Sequence, residues 1–149
     1  MNGFSPATET TLARLEGLCR QRGERMTAPR RRVLGILLEA EEPLGAYELI
    51  ERMAKVGSRP TPPTVYRALD FLVSQGFVHK VHSENGFIAC KAVEEVHEAE
   101  LFICRTCGVT AEVARSLSSV KQDASALGFT AESVVVEVRG LCRGCKDRT

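Results

Sequence analysis

The sequence predicts a mixed α/β fold of the α+β kind: a helical lobe closed by a β-hairpin, then a smaller lobe of strands and helix. Three observations carry this. Apolar residues recur at helical spacing from Leu12 to Leu72. An alternating segment built around Asn85-Gly86 follows. Two Cys-x-x-Cys pairs, Cys104/Cys107 and Cys142/Cys145, then enclose 34 residues that read as strand, helix and strand.

In the first lobe, Leu12, Leu15, Leu18 and Cys19 make one helical stripe ending near Gly23. Cys19 reads as helix core. Thr27 is placed to cap a second helix with Pro29 in its first turn, and Val33, Leu34, Leu37 and Leu38 form its apolar face. Pro43-Leu44-Gly45 breaks the pattern. Tyr47, Leu49, Ile50 and Met53 mark a third helix that stops at Gly57, since Pro60 cannot continue it. Thr61 caps a fourth helix before Pro62 and Pro63, with Val65, Ala68, Leu69 and Leu72 inward. Thr64, Tyr66, Arg67 and Asp70 are left outside. Threonine, tyrosine and arginine in the first exposed turns are what a recognition helix carries into a major groove, although exposed Tyr and Arg are more often ordinary surface.

Phe77 to His82 alternates as a strand, and Asn85-Gly86 predicts a two-residue turn into Phe87-Ile88-Ala89-Cys90. Three helices and a hairpin after the fourth make a winged helix. With the turn centred there, Val81 faces Cys90, His79 lies diagonal to Cys90 on the same face, and His82 faces Ala89 and points away.

In the second lobe, Leu101-Phe102-Ile103 is a strand, Leu117, Val120, Ala124 and Leu127 share a helical face, and Val134, Val135, Val136 and Val138 form a strand before the last cysteines. So small a unit has little core of its own. Two residues between thiolates let one backbone knuckle present both sulfurs to a tetrahedral ion. Two such knuckles point to a closed structural zinc site of Cys104, Cys107, Cys142 and Cys145. A disulfide scaffold needs an oxidising compartment, and a redox centre needs only one reactive pair. Zinc would staple the lobe, and pairing with a second copy would bury the rest.

Charge says less. The chain carries a net charge of +1, but residues 1–82 hold 12 Lys/Arg against 9 Asp/Glu, and residues 83–149 hold 8 against 10. Arg30, Arg31 and Arg32 fall at a helix start, where the macrodipole disfavours cations, and read equally as a solvated cluster or as phosphate contacts. Met1-Asn2-Gly3-Phe4 has no basic region leading into an apolar run, and no stretch is long and apolar enough to span a bilayer. A cytoplasmic protein with reduced cysteines and no membrane contact is expected.

The run Pro62-Pro63-Thr64-Val65-Tyr66-Arg67-Ala68-Leu69-Asp70-Phe71-Leu72, with Gln75-Gly76-Phe77-Val78-His79-Lys80-Val81, Phe102-Ile103-Cys104 and Gly140-Leu141-Cys142, resembles the zinc uptake branch of the ferric uptake regulator family. The resemblance covers nearly the whole chain. It implies a winged-helix DNA-binding domain over residues 1–91, a hinge over 92–96 and a small α/β dimerisation and metal-binding domain over 97–149. It also implies a homodimeric, zinc-responsive repressor that binds palindromic double-stranded operators of zinc-uptake and zinc-homeostasis genes.

By the same match, His79, Cys90, His97 and Glu112 are the ligands of a regulatory zinc, giving one structural and one regulatory Zn²⁺ per subunit. Tyr66 and Arg67 would read bases beside Thr64, and Tyr47 and Arg30 would hold the backbone. Thiolate, imidazole and carboxylate donors suit tetrahedral zinc better than an oxygen-rich iron or manganese site. A relative that senses iron, manganese or peroxide is the alternative. A single histidine, His97, in the stretch leading into Phe102 and the lack of a His-rich tail read against a third, histidine-built site, with His82, Glu95, Glu98 or Glu100 the residues that could join or replace a ligand.

An enzyme is not expected. His97-Glu98-Ala99-Glu100 lacks the second histidine of a zinc-protease motif, and neither a phosphate-binding glycine loop nor a nucleophile elbow is present. A zinc-ribbon interaction module that never touches DNA is the remaining class, and metal-independent behaviour in a binding assay would favour it.

Overall fold

A computed structural model describes residues 3–91, 93, 98–115, 118–132 and 134–148. The chain divides into two compact units, Met1–Cys90 and Lys91–Thr149.

The first unit packs α1 (Pro6–Gln21), α2 (Ala28–Glu39), α3 (Ala46–Lys55) and α4 (Pro62–Ser74) with the hairpin β1 (Val78–Val81) and β2 (Gly86–Ala89). Thr27 and Thr61 stand at the expected N-cap positions of α2 and α4, but neither side chain makes a cap hydrogen bond. Prolines occupy the first turns of α1, α2 and α4, and Ser5 accepts a hydrogen bond from the Thr8 N–H at the start of α1. Their inward faces, Leu12, Leu15 and Cys19, Val33, Leu34 and Leu37, Leu49, Ile50 and Met53, and Val65, Ala68, Leu69 and Leu72, are buried in one core under Phe77 and Val81. Burial raises the Cys19 thiol above its ordinary pKa, as befits a core residue. Leu18 and Leu38 sit half-buried at its edge, and Tyr47 points outward at 71% exposure. Apolar spacing could not place Tyr47, because an amphipathic ring satisfies a helical stripe and a surface equally well.

The N-terminal segment is tied down as well. Ser5 donates its N–H to Glu39 at 2.7 Å, and the Phe4 ring lies against Gly35 where any Cβ would stand.

The hairpin departs from the two-residue turn expected of Asn85-Gly86. A 3₁₀ turn over His82–Glu84 and a left-handed Asn85 (φ 48°) connect the strands, with Val78 paired to Ala89, His79 to Ile88, Lys80 to Phe87 and Val81 to Gly86. Val81 therefore does not face Cys90, and His82 lies in the turn, not opposite Ala89. The pairing has moved by four residues, an even number, so each side chain keeps its face.

Close approach explains Gly86. Leu44 forms a bridge to Phe87, each N–H donating to the other's carbonyl at 3.0 and 2.9 Å. A Cβ on Gly86 would meet the Pro43 Cβ at 3.0 Å. Glycine is needed at 86 because another chain segment lies against it, not because a turn demands positive φ.

The second unit is a three-stranded sheet ordered β4 (Thr110–Arg115), β3 (Glu98–Cys104), β5 (Val136–Gly140), with α5 (Ser118–Ala126) and α6 (Arg143–Lys146). β3 runs antiparallel to β4 and parallel to β5. Leu101 and Ile103 are buried, whereas Phe102, Val138 and Val109 remain partly exposed. With Ala111 and Leu141 they line an apolar groove of about 290 Å³. Val120 and Leu127, expected to share a helical face, are exposed in the single chain, and Leu117 lies outside the described residues. Among the described residues no helix is long and apolar enough to cross a membrane.

Candidate metal centre and nucleic-acid interface

In the second unit two knuckles converge. The end of β3 turns back through Gly108, whose N–H donates to the Cys104 carbonyl at 3.0 Å, while Cys104 donates to the Val109 carbonyl at 2.9 Å. Gly108 has φ 79°, the left-handed geometry this tight return requires. Cys142 caps α6, which carries Cys145 one turn on. Arg105 N–H to Gly140 C=O, 2.9 Å, joins the two knuckles.

The four sulfurs of Cys104, Cys107, Cys142 and Cys145 lie within 4.8 Å of one another. Cys107 and Cys142 Sγ are 3.7 Å apart. A tetrahedron with Zn–S bonds of about 2.3 Å has S···S edges of about 3.8 Å, so the spacing suits a shared ion and exceeds any disulfide bond.

The thiols also divide in proton affinity. Backbone N–H groups of Cys107 and then Cys142 pull Cys104 down to about 6. Hydrogen bonding to Cys142 and burial push Cys145 up to about 12. The proton shared among crowded sulfurs comes off last, and a divalent cation among them supplies the charge that lets all four ionise.

The first unit brings two further predicted ligands together. His79 on β1 and Cys90, just past β2, offer ligand atoms within 4.8 Å of each other. The Cys90 N–H donates to the Phe77 carbonyl at 2.8 Å, which fixes the residue beside the hairpin, and Cys90 is 3% exposed. Glu112 belongs to β4 of the second unit, where its carboxylate accepts the Lys91 N–H at 3.0 Å. His97 lies outside the described residues, as do Glu95 and most of the 92–96 segment.

On α4, Tyr66 (47% exposed) and Arg67 face solvent over the first two turns. Thr64 is half-buried, its Oγ1 2.9 Å from that of Thr61. Beside them, the three-arginine run separates into different roles. Arg31 is bound between Glu9 and Glu16 of α1, and Arg32 donates to the Met53 carbonyl near the end of α3 at 2.9 Å. Arg31 and Arg32 are thus each tied to a partner within the fold. Glu9 is held below the usual carboxylate range, first by Arg31 and then by the Phe4 N–H.

Arg30 differs. Its guanidinium stacks 3.6 Å from the centre of the Phe71 ring and donates through Nη1 to the Arg25 carbonyl. Sequence reasoning missed Phe71. Its only signal was its place four residues after Arg67, on the same side of α4.

The ferric uptake regulator family model matches residues 21–139. The zinc uptake regulation protein of Escherichia coli is 38% identical over 141 residues, 93% of this chain and 82% of that protein. The solved structure of a zinc uptake regulator complexed with zinc and DNA is similar at a TM-score of 0.87 and 36% identity, covering 95% of this chain and 96% of the other. That of holo XcZur is similar at 0.86 and 38%, covering 93% and 98%.

Proposed function

The chain belongs to the ferric uptake regulator family, and from that membership we propose that it is a zinc-responsive transcriptional repressor, a homodimer that binds double-stranded DNA when zinc is bound. It is a regulator and not an enzyme. One observation carries the reading. A winged helix presenting Tyr66 and Arg67 and a cluster of four cysteine sulfurs within 4.8 Å of one another occur in a chain 36% identical, over nearly its full length, to a zinc uptake regulator solved with zinc and DNA.

Cys104, Cys107, Cys142 and Cys145 are assigned to a structural zinc, which supplies the cross-link that so small a sheet needs. His79, Cys90, His97 and Glu112 are assigned to a regulatory zinc, so each subunit takes one ion of each kind. The closeness of His79 and Cys90 in the hairpin supports this, as does a donor set better suited to zinc than to iron or manganese. Linkage then requires DNA to raise zinc affinity by the factor by which zinc raises DNA affinity.

Tyr66 and Arg67 read base edges from the start of α4, with Thr64 beside them, and Tyr47 and Arg30 hold the backbone. The apolar groove along Phe102 and Val138 and the uncovered side of α5 are the surfaces a second copy buries. Residues 1–91 form the DNA-binding domain, 92–96 the hinge and 97–149 the dimerisation domain. The protein works in the cytoplasm, where its cysteines stay reduced, on palindromic operators of zinc-uptake and zinc-homeostasis genes.

Fluorescence anisotropy on a palindromic and a scrambled duplex, across buffered free zinc and with Cys90→Ser alongside, tests the reading. Selective binding that needs zinc and disappears in Cys90→Ser is expected. Selective binding under iron or manganese alone would move the protein to another branch, and zinc-independent binding would defeat the regulatory site.

A further inference from the structure

We propose that Phe71 is a positioning residue for DNA binding: its ring holds the Arg30 guanidinium in a fixed place beside the recognition helix, so that the cation meets a phosphate without first being ordered. The inference rests on the DNA-binding reading of α4.

Arg30 and Phe71 belong to different helices, α2 and α4, yet the guanidinium carbon stands 3.6 Å from the ring centre. That is close stacking, well inside the distance of about 6 Å at which a cation is drawn to an aromatic face. The Arg25 carbonyl accepts from Nη1 at 2.6 Å and sets the rotation of the plane above the ring. One face and one N–H are thereby used. A guanidinium has five N–H donors in a rigid fork, so an edge remains for a planar, bidentate anion such as a phosphate.

The neighbouring arginines are held differently: Arg31 is bound between two glutamates, and Arg32 donates to the Met53 carbonyl of α3 and makes no stack on α4. Arg22 approaches Phe77 at the larger distance of 5.4 Å and donates to both the Gln75 carbonyl and the Gln75 side chain, which makes it a cap for the end of α4. Arg30 is thus the one member of the 30–32 run stacked on the recognition helix. Phe71 lies one turn beyond Arg67 on the same side of α4, so the base-reading arginine and the ring that carries Arg30 stand in one row along that helix. A mobile arginine side chain loses several rotatable bonds' worth of freedom on binding. Stacking removes that loss in advance.

The test is a double-mutant cycle on the zinc-loaded protein, measuring duplex affinity against salt for wild type, Arg30→Ala, Phe71→Leu, the double variant and Phe71→Tyr. Arg30→Ala should weaken operator and scrambled duplex alike and lower the salt slope by about 1. Phe71→Leu should weaken both by about 3- to 10-fold, Phe71→Tyr should restore binding, and Phe71→Leu should change nothing further once Arg30 is Ala.

Equal losses from Phe71→Leu with and without Arg30 would overturn the inference and leave Phe71 a packing residue. So would failure of Phe71→Tyr to rescue. Should Phe71→Leu unfold, Phe71→Tyr and Arg30→Lys still decide: the first should bind like wild type, and the second, which keeps charge without the planar fork, should bind more weakly. Wild type that binds no duplex under zinc would instead defeat the underlying reading.

Discussion

Replacing Gly86 by alanine is expected to destabilise the first lobe by about 2 kcal/mol. The added Cβ would stand 3.0 Å from the Pro43 Cβ and 3.3 Å from the backbone C and N of Leu44. Those neighbours are a ring and a main chain, so they yield only if the 43–44 segment lifts from β2. Lifting breaks the two hydrogen bonds between Leu44 and Phe87, worth about 1 kcal/mol each. Residual crowding adds about 1 kcal/mol, and stiffening of the unfolded chain offsets about 0.7 kcal/mol. Urea unfolding measures the sum, and amide exchange at Leu44 and Phe87 locates it.

Two comparisons separate this account from a turn requirement. Gly86→Asn should be worse than Gly86→Ala, because a larger side chain meets the same wall, whereas a left-handed turn position would tolerate asparagine. Asn85→Gly should change stability by less than about 0.5 kcal/mol, because Asn85 holds the left-handed position at φ 48°. An alanine variant within about 0.5 kcal/mol of wild type would refute the close-approach reasoning. So would asparagine better tolerated than alanine.

Arg67→Ala should cost about 1–3 kcal/mol on an operator with little effect on random DNA or on folding, and anisotropy that showed equal losses on both duplexes would remove Arg67 from base reading. Cys107→Ser should abolish the structural zinc, seen as one fewer zinc per subunit by elemental analysis, and with it the cooperative melting of the second lobe, whereas Cys90→Ser should leave that melting intact. Since Glu9 titrates lower folded than unfolded, its stabilisation is present above about pH 4.5 and fades as pH falls through the folded value. Acid titration of Glu9→Gln should accordingly show a shallower loss of stability below about pH 4.5, and a profile identical to wild type would rule out the Arg31 contact as an acid-labile tie.

Helices were legible because their signals are local. Prolines in first turns, breaks at glycine and proline, and the inward row Val65, Ala68, Leu69 and Leu72 need no knowledge of the rest of the chain. The four-cysteine cluster was legible for the same reason, since spacing within each knuckle sets which sulfurs can share an ion. The diagonal relation of His79 to Cys90 held although the hairpin pairing was different. A shift by an even number of residues leaves strand faces unchanged.

What short-range pattern could not supply were relations between distant segments. Arg30, Arg31 and Arg32 are identical as letters, and only the packing of α1, α3 and α4 around α2 gives one to Phe71, one to two glutamates and one to a carbonyl. Gly86 reads as a turn residue until Leu44 arrives beside Phe87 from more than 40 residues away. The sequence by itself therefore determined the helices of the first lobe, their inward rows and the donor chemistry of the four clustered cysteines, which depend on the period of the backbone and the nature of the side chains. Tertiary structure alone decided which cation is stacked, which glycine is crowded and which apolar faces stay uncovered, because each of those is settled by a neighbour that the chain brings from afar.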